Sequence, residues 1–150
     1  MQVEERSLTI QERVAGLDPQ ERGPAGAFLT EHPAGVGAPV AVVIPAYNEE
    51  PTVASVVQAI PREIGGLAAE VIVVVDGAED ATAAKARSAG ALVCDVPVNR
   101  GQGRVFRLGY WLARARGARA IATIDADGQY EPEELGRLLE PILDDRADFV

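Results

Sequence analysis

Cysteine, histidine, positive charge and long apolar runs are all scarce in this chain. One cysteine, Cys94, and one histidine, His32, occur in 150 residues. A single cysteine excludes an internal disulfide and fits a reducing compartment. Cys94 sits in an apolar run and reads as a small buried hydrophobe rather than a nucleophile. His32 lies in a stretch rich in glycine and proline, with no partner in view, and takes no role. No apolar run approaches the roughly 20 residues of a membrane helix. The first residues, MQVEERSLTI, lack the basic start and apolar core of a signal peptide. A cytoplasmic location is therefore expected. Lysine and arginine number 14 against 23 acids, a formal net charge of −9. That balance argues against nucleic acid or an anionic membrane as the main partner.

What is present suits one soluble domain. The hydrophobic share of 47% and charged share of 25% are ordinary for a globular protein. The length allows one real core and is too short for two ordinary domains. Six arginines (Arg100, Arg104, Arg107, Arg114, Arg116, Arg119) fall between Val96 and Ile124 with no acid among them. Most read as a solvated helix face, and Arg100 and Arg104 are the pair placed to meet an anion.

Residues 1–39 read as a flexible leader. Ser7–Leu17 carries one short helical pattern, but DPQERGPAGAF and EHPAGVGAP are too poor in large apolar groups to offset their ordering entropy. The domain is expected to start at Val40. Val40–Ile44 and Val71–Val75 are continuous apolar runs, as in strands covered on both faces. Ala91–Val96 and Arg119–Ile124 are a third and a fourth strand. Helical spacing marks Val53–Ile60, Asp80–Ser88, Gln102–Arg116 and Pro132–Leu143, where Pro141 should break or bend the last turn. Asp148–Val150 reads as the start of a fifth strand. The alternation predicts an α/β fold, a mostly parallel sheet with helices on both faces. The strands' carboxyl ends then share one rim, the edge where open α/β folds bind ligands. Those ends carry Tyr47–Glu49, Asp76, Asn99–Gly103 and Asp125–Asp127.

The chain is organised around Ile121–Glu134, which reads IATIDADGQYEPEE. Asp125 and Asp127 follow an apolar strand and precede a turn at Gly128. Acids so close repel each other unless a cation or a donor lies between them. Oxygen ligands favour Mg²⁺ or Mn²⁺, and Mg²⁺ sits between carboxylates and substrate phosphates. Asp76-Gly77 reads equally as a turn dipeptide. Gly101 and Gly103 precede a helix N-terminus, which holds a phosphate or serves as a hinge.

In this order and spacing, VVIPAYNEE, VVVDGAEDAT, NRGQG and IDADGQYEPEEL resemble the inverting family 2 glycosyltransferases. The dolichol-phosphate mannosyltransferase-like and polyprenyl-phosphate glycosyltransferase branches look most similar, over residues 40–150. The resemblance implies a GT-A (Rossmann-like) fold that binds a nucleotide-sugar donor, a GDP- or UDP-sugar. Pro45, Ala46, Tyr47 and Glu49 match the family's first nucleotide-contacting loop. Asp76, with Val74 beside it, matches the acid that hydrogen-bonds the base, and Gly101 and Gly103 match a glycine-rich turn. Asp125, Ala126 and Asp127 match the DxD signature at the diphosphate and its Mn²⁺ or Mg²⁺. Gln129 matches a further metal ligand. Val75 stands where the family usually has the first of two adjacent acids.

Family members continue beyond this length with an acceptor half that holds the catalytic base. The domain is thus expected to be truncated, and no residue is assigned as base. The implied acceptor is a polyprenyl phosphate, met peripherally at the inner membrane face, or a similar acceptor. Already an anion, a polyprenyl phosphate needs little base catalysis, whereas a sugar hydroxyl would need a carboxylate base. Charge growing on the leaving diphosphate would be neutralised by a cation at Asp127 while the acceptor attacks the opposite face. Two rivals stand beside this reading. A haloacid-dehalogenase-like phosphatase also carries DxD after a strand, but that strand usually opens its domain. A truncated nucleotide-binding module without turnover is the other.

Overall fold

The computed structural model describes residues 7–150. Its elements in chain order are α1 (Ile10–Val14), α2 (Pro19–Glu31), β1 (Val40–Ala46), α3 (Val53–Ala59), β2 (Glu63–Ile64) and β3 (Leu67–Asp76). They continue with α4 (Thr82–Ser88), β4 (Leu92–Val96), α5 (Gln102–Arg116), β5 (Ala120–Thr123) and α6 (Leu135–Leu143), the last entered through a 3-10 turn at Pro132–Glu134. Among the described residues no helix is long and apolar enough to cross a membrane.

Strands β4, β3, β1 and β5 lie side by side and all run parallel. The apolar runs that predicted them alternate strictly between two cores. Val40, Val42, Ile44 and Ala46 of β1 face one side, with α3 and α6; Ala41 and Val43 face the other, with α5. Successive side chains of a strand point to opposite faces, so only an apolar run can serve a sheet covered twice. The sheet is mixed at one point. The two-residue β2 pairs antiparallel with the start of β3, at Ile64 and Leu67. So short a strand leaves no period to read.

The chain lays down β1, β3 and β4 in one direction, then returns past β1 to place β5 on its far side. Helices α3 and α4 cover one face and α5 the other. The order therefore reverses between β1 and β5, and this switch point is where open α/β sheets form a ligand crevice. Helix α5 lies very close to β1 there. A Cβ on Gly109 would come within 2.3 Å of the Val43 Cγ1.

The segment read as a flexible leader carries two helices in its described part, α1 and α2. Helix α1 carries a capping box, with Thr9 and Glu12 bonding each other's backbone N–H. Asp18 caps α2 and Pro19 opens it, a start signal that Gly23, Pro24 and Gly26 outweigh in any propensity sum. Burial overrides that sum. Ala25, Phe28 and Leu29 join Cys94 and Val96 of β4 and Leu108 of α5 in one core, and helices of this kind depend on packing. Arg116 then fastens the following stretch: its guanidinium forks onto Glu70 at 2.8 and 3.1 Å and donates to the Pro33 carbonyl at 2.6 Å. Residues 1–6 of the expected leader lie outside the described residues.

Helix α6 ends at Leu143, as its spacing predicted, with Pro141 in its last turn. One C-terminal expectation changes. Asp148–Val150 form no strand, and Phe149 is exposed, because a strand exists only where a neighbour satisfies its backbone.

Two outcomes follow from this core. Phe28→Ala should lower stability by about 3–5 kcal/mol in urea unfolding; an unchanged midpoint would mean that α2 is not part of the domain. Burial pushes the Cys94 thiol up to about 12, so the folded chain should resist alkylation at neutral pH and react only once denatured. Labelling at the same rate in both states would contradict that burial.

Candidate functional site

The four polar clusters at the carboxyl ends of the strands meet around one open cavity of about 390 Å³. Each is braced by its neighbours. After β1, Pro45 and Ala46 lead to Tyr47 and then to Asn48, whose φ of 49° is left-handed. Asparagine tolerates that region, and its side-chain oxygen accepts from the Glu79 N–H at 2.9 Å. The Glu49 N–H donates to the buried Thr82 hydroxyl at 3.0 Å, and that hydroxyl donates in turn to Asp80. Thr52 reaches across to the other side of the crevice and donates to the Ala126 carbonyl at 2.7 Å.

At the end of β3 stands Asp76, 4% exposed. A buried carboxylate is costly without donors, and here both oxygens are engaged. Asp76 accepts from the backbone N–H of Arg100 at 2.6 Å and of Gly101 at 3.0 Å. The loop after β4 is thereby drawn over the end of β3. Only glycine fits the next position: Gly77 has φ +66°, and a Cβ there would lie 2.2 Å from the Asn99 nitrogen. The turn reading of Asp76-Gly77 is thus correct for the glycine, while the aspartate joins two loops.

Beyond β5, Asp127 accepts from the Gln129 N–H at 3.0 Å, which turns the chain at Gly128. Ala126 is buried, and its flanking acids border the cavity. Gln102, in the first turn of α5, approaches Asp125 at 3.5 Å.

Of the residues singled out from sequence, Pro45, Ala46, Tyr47, Glu49, Asp76, Gly101, Asp125, Ala126 and Asp127 line this one cavity. Val74 does not. It is fully buried with α5, whose Gly109 approaches it. Gly103 lies within α5, beside the lining rather than in it. Gln129 is exposed, and its recorded contact is the backbone bond to Asp127. Sequence reasoning did not single out Val105, which lines the cavity one turn into α5, nor the bracing hydroxyls of Thr52 and Thr82. Nothing local in the sequence marks a threonine as a strut between distant loops. Arg100 and Arg104 do meet an anion, but it is a residue of this chain: both donate to Asp18 at 3.3 Å.

The lining carries the carboxylates of Glu49, Asp76, Asp125 and Asp127 and no lysine or arginine. Asp76 accepts from two backbone N–H groups, and the other three form no ion pair among the described residues. Such a donor set fits a hard divalent cation. No group of three His, Cys, Asp or Glu side chains closes a metal cage among the described residues. A cation here would therefore complete its shell from a bound diphosphate and water, as Mg²⁺ ordinarily does.

A doubly covered parallel sheet with an acid-lined crevice at its switch point defines a doubly wound α/β protein. Within that class this chain belongs to glycosyl transferase family 2, whose model matches residues 41–150. Glucosyl-3-phosphoglycerate synthase of Mycolicibacterium smegmatis is 39% identical over 116 residues, covering 69% of this chain and 37% of that protein. Undecaprenyl-phosphate 4-deoxy-4-formamido-L-arabinose transferase of Pseudomonas paraeruginosa is 38% identical over 108 residues, covering 67% and 31%. Among solved structures, glucosyl-3-phosphoglycerate synthase from Mycobacterium tuberculosis, in complex with Mn²⁺, UDP and glucosyl-3-phosphoglycerate, superposes with a TM-score of 0.59 at 29% identity. That superposition covers 95% of this chain and 46% of the other, so it extends upstream of the family match into the N-terminal helices. A second complex of that enzyme holds Mg²⁺ and UDP, with a TM-score of 0.57 at 28% identity, covering 91% and 44%. The chain spans less than half the length of these relatives.

Asp76→Asn tests the joint between β3 and the loop after β4. An amide accepts through one oxygen and presents an NH₂ to the second N–H, so stability should fall by about 1.5–3 kcal/mol. Amide exchange at Arg100 and Gly101 should quicken. Unchanged exchange would show that the carboxylate does not hold the loop.

Proposed function

We propose that the cavity holds the nucleotide-diphosphate sugar donor of an inverting glycosyl transfer. The nucleoside rests along Pro45–Glu49 and the end of β3, and the diphosphate lies against Asp125–Asp127. One observation carries the reading: three carboxylates without a cationic partner border the same cavity as the N-terminus of α5. UDP is the favoured nucleotide, because the solved relatives named above contain it together with Mn²⁺ or Mg²⁺.

Mn²⁺ or Mg²⁺, held by Asp125 and Asp127 with Gln129 as a further ligand, would supply charge neutralisation for the departing diphosphate. The chain's own residues do the rest. Asp76 shapes the wall at Gly101, and the first N–H groups of α5 offer donors to a phosphate. Thr52 holds the Ala126 carbonyl, and through it the spacing of the two acids. Tyr47, half-exposed at the mouth, offers a ring for stacking against a base.

The acceptor carries a phosphate: a polyprenyl phosphate at a membrane surface or another phosphorylated alcohol. The names of the relatives support that class, since one acts on undecaprenyl phosphate and another forms glucosyl-3-phosphoglycerate. A cytoplasmic site of action, peripheral to the inner membrane face, follows for the lipid-linked case.

Calorimetric titration of UDP and GDP, each with and without Mn²⁺, tests the donor site. UDP should bind with Mn²⁺, and Asp127→Ala should weaken that binding by about tenfold or more. Equal binding by wild type and mutant, or binding indifferent to the metal, would sink the diphosphate assignment. Retained UDP binding without sugar transfer would favour the nucleotide-binding module over the enzyme.

A further inference from the structure

The family match begins at residue 41, yet two side chains upstream of it, Asp18 and Gln20, reach the loop that walls the cavity. Asp18 caps α2 by accepting from the Gln20 N–H at 3.0 Å. Its two oxygens also accept from Arg100 and Arg104, each at 3.3 Å. Gln20 accepts from the same Arg100 guanidinium. The Arg100 side chain is only 11% exposed, against 51% for Arg104. An arginine in a surface loop is ordinarily solvated, so Arg100 is packed and held.

The position of Arg100 makes this more than a surface ion pair. Its backbone N–H, together with that of Gly101, is what Asp76 accepts from inside the fold. The loop is gripped twice: through its backbone by Asp76 and through the Arg100 side chain by Asp18, with Gln20 beside it. Both grips act within one residue of Gly101, which lines the cavity and opens α5. Asp18 is held below the ordinary carboxylate range, first by the Gln20 N–H and then by the Arg100 hydrogen bond. It is therefore charged at neutral pH.

We propose that Asp18 is a positioning residue for the donor pocket, and that the N-terminal helices set the shape of the loop Asn99–Gly101 through the Asp18–Arg100 pair. The inference rests on the donor reading above and adds to it a control element outside the family-matched residues. A loop with two anchors arrives pre-shaped for its ligand. With the outer anchor cut, it samples other conformations, and the apparent affinity falls by the fraction of time it is competent.

Asp18→Ser separates this role from helix capping. Serine caps as well as aspartate but carries no charge for Arg100. Circular dichroism and the thermal midpoint should match wild type, which keeps the comparison between folded chains. Amide exchange at Arg100 and Gly101 should quicken, and the dissociation constant for UDP with Mn²⁺ should rise about tenfold, the scale of coupling within one hydrogen-bond network. Adding Arg100→Gln to Asp18→Ser should cost less than the sum of the two single changes, since both remove the Asp18–Arg100 pair, although Arg100→Gln also releases Gln20. Unchanged exchange and affinity in Asp18→Ser, while wild type binds UDP, would overturn the positioning role and leave the donor reading intact. Additive losses in the double variant would overturn it too. Absence of UDP binding by folded wild type would overturn the donor reading and this inference with it.

Discussion

The rim of this sheet depends on a carboxylate that has been taken out of water. Asp76 ends the longest strand and is almost fully buried, where a charge without donors is not tolerated. The donors nearest to hand are two consecutive backbone N–H groups, of Arg100 and Gly101. Meeting that need ties β3 to the start of α5 through the loop after β4. It also dictates Gly77, because the loop then passes too close for any side chain. Once the N-terminus of α5 is pinned, the helix runs down across β1, with Gly109 allowing the approach to Val43. The crevice between β1 and β5 acquires its roof from that single requirement.

Hydroxyls do for the opposite wall what Asp76 does for the roof. Thr82 links the Glu49 N–H to Asp80, and Thr52 links α3 to the Ala126 carbonyl. These bonds satisfy the backbone of the loops and leave three acids, Glu49, Asp125 and Asp127, with hydrogen-bond donors but no cationic partner among the described residues. Like charges gathered at one concave surface repel, and a bound cation relieves them. A pre-braced acidic crevice is thus a stable scaffold with no cation of its own, which suits the metal-assisted binding of a diphosphate proposed above.

Arginines sort by their surroundings rather than by their spacing. Of the six that crowd one acid-free stretch, Arg116 is drawn inside by a forked pair with Glu70 and by the Pro33 carbonyl. Arg100 is drawn under α2 by Asp18 and Gln20. Both serve to attach the N-terminal helices to the domain, one at each end of α5. The attachment is apolar as well: Phe28 and Leu29 complete the core over β4 that α5 alone leaves open.

The sequence by itself determined the parallel α/β architecture, because continuous apolar runs suit only strands buried on both faces. It determined the rim too, since alternation of strand and helix sends every strand's carboxyl end to one edge. Asp125, Asp127, Asp76 and the PAYNE loop were legible as neighbours at one rim for that reason, and the ordered motifs were legible as family 2. Tertiary structure alone decided the rest. The helix from Pro19 to Glu31 exists because Phe28 and Leu29 find a hydrophobic partner surface, against the local propensity of Gly23, Pro24 and Gly26. Val74 faces α5 and not the ligand because strand parity, not adjacency to Asp76, sets its direction. Asp18 meets Arg100 across more than 80 residues, and a contact of that separation is a product of packing that no local pattern encodes.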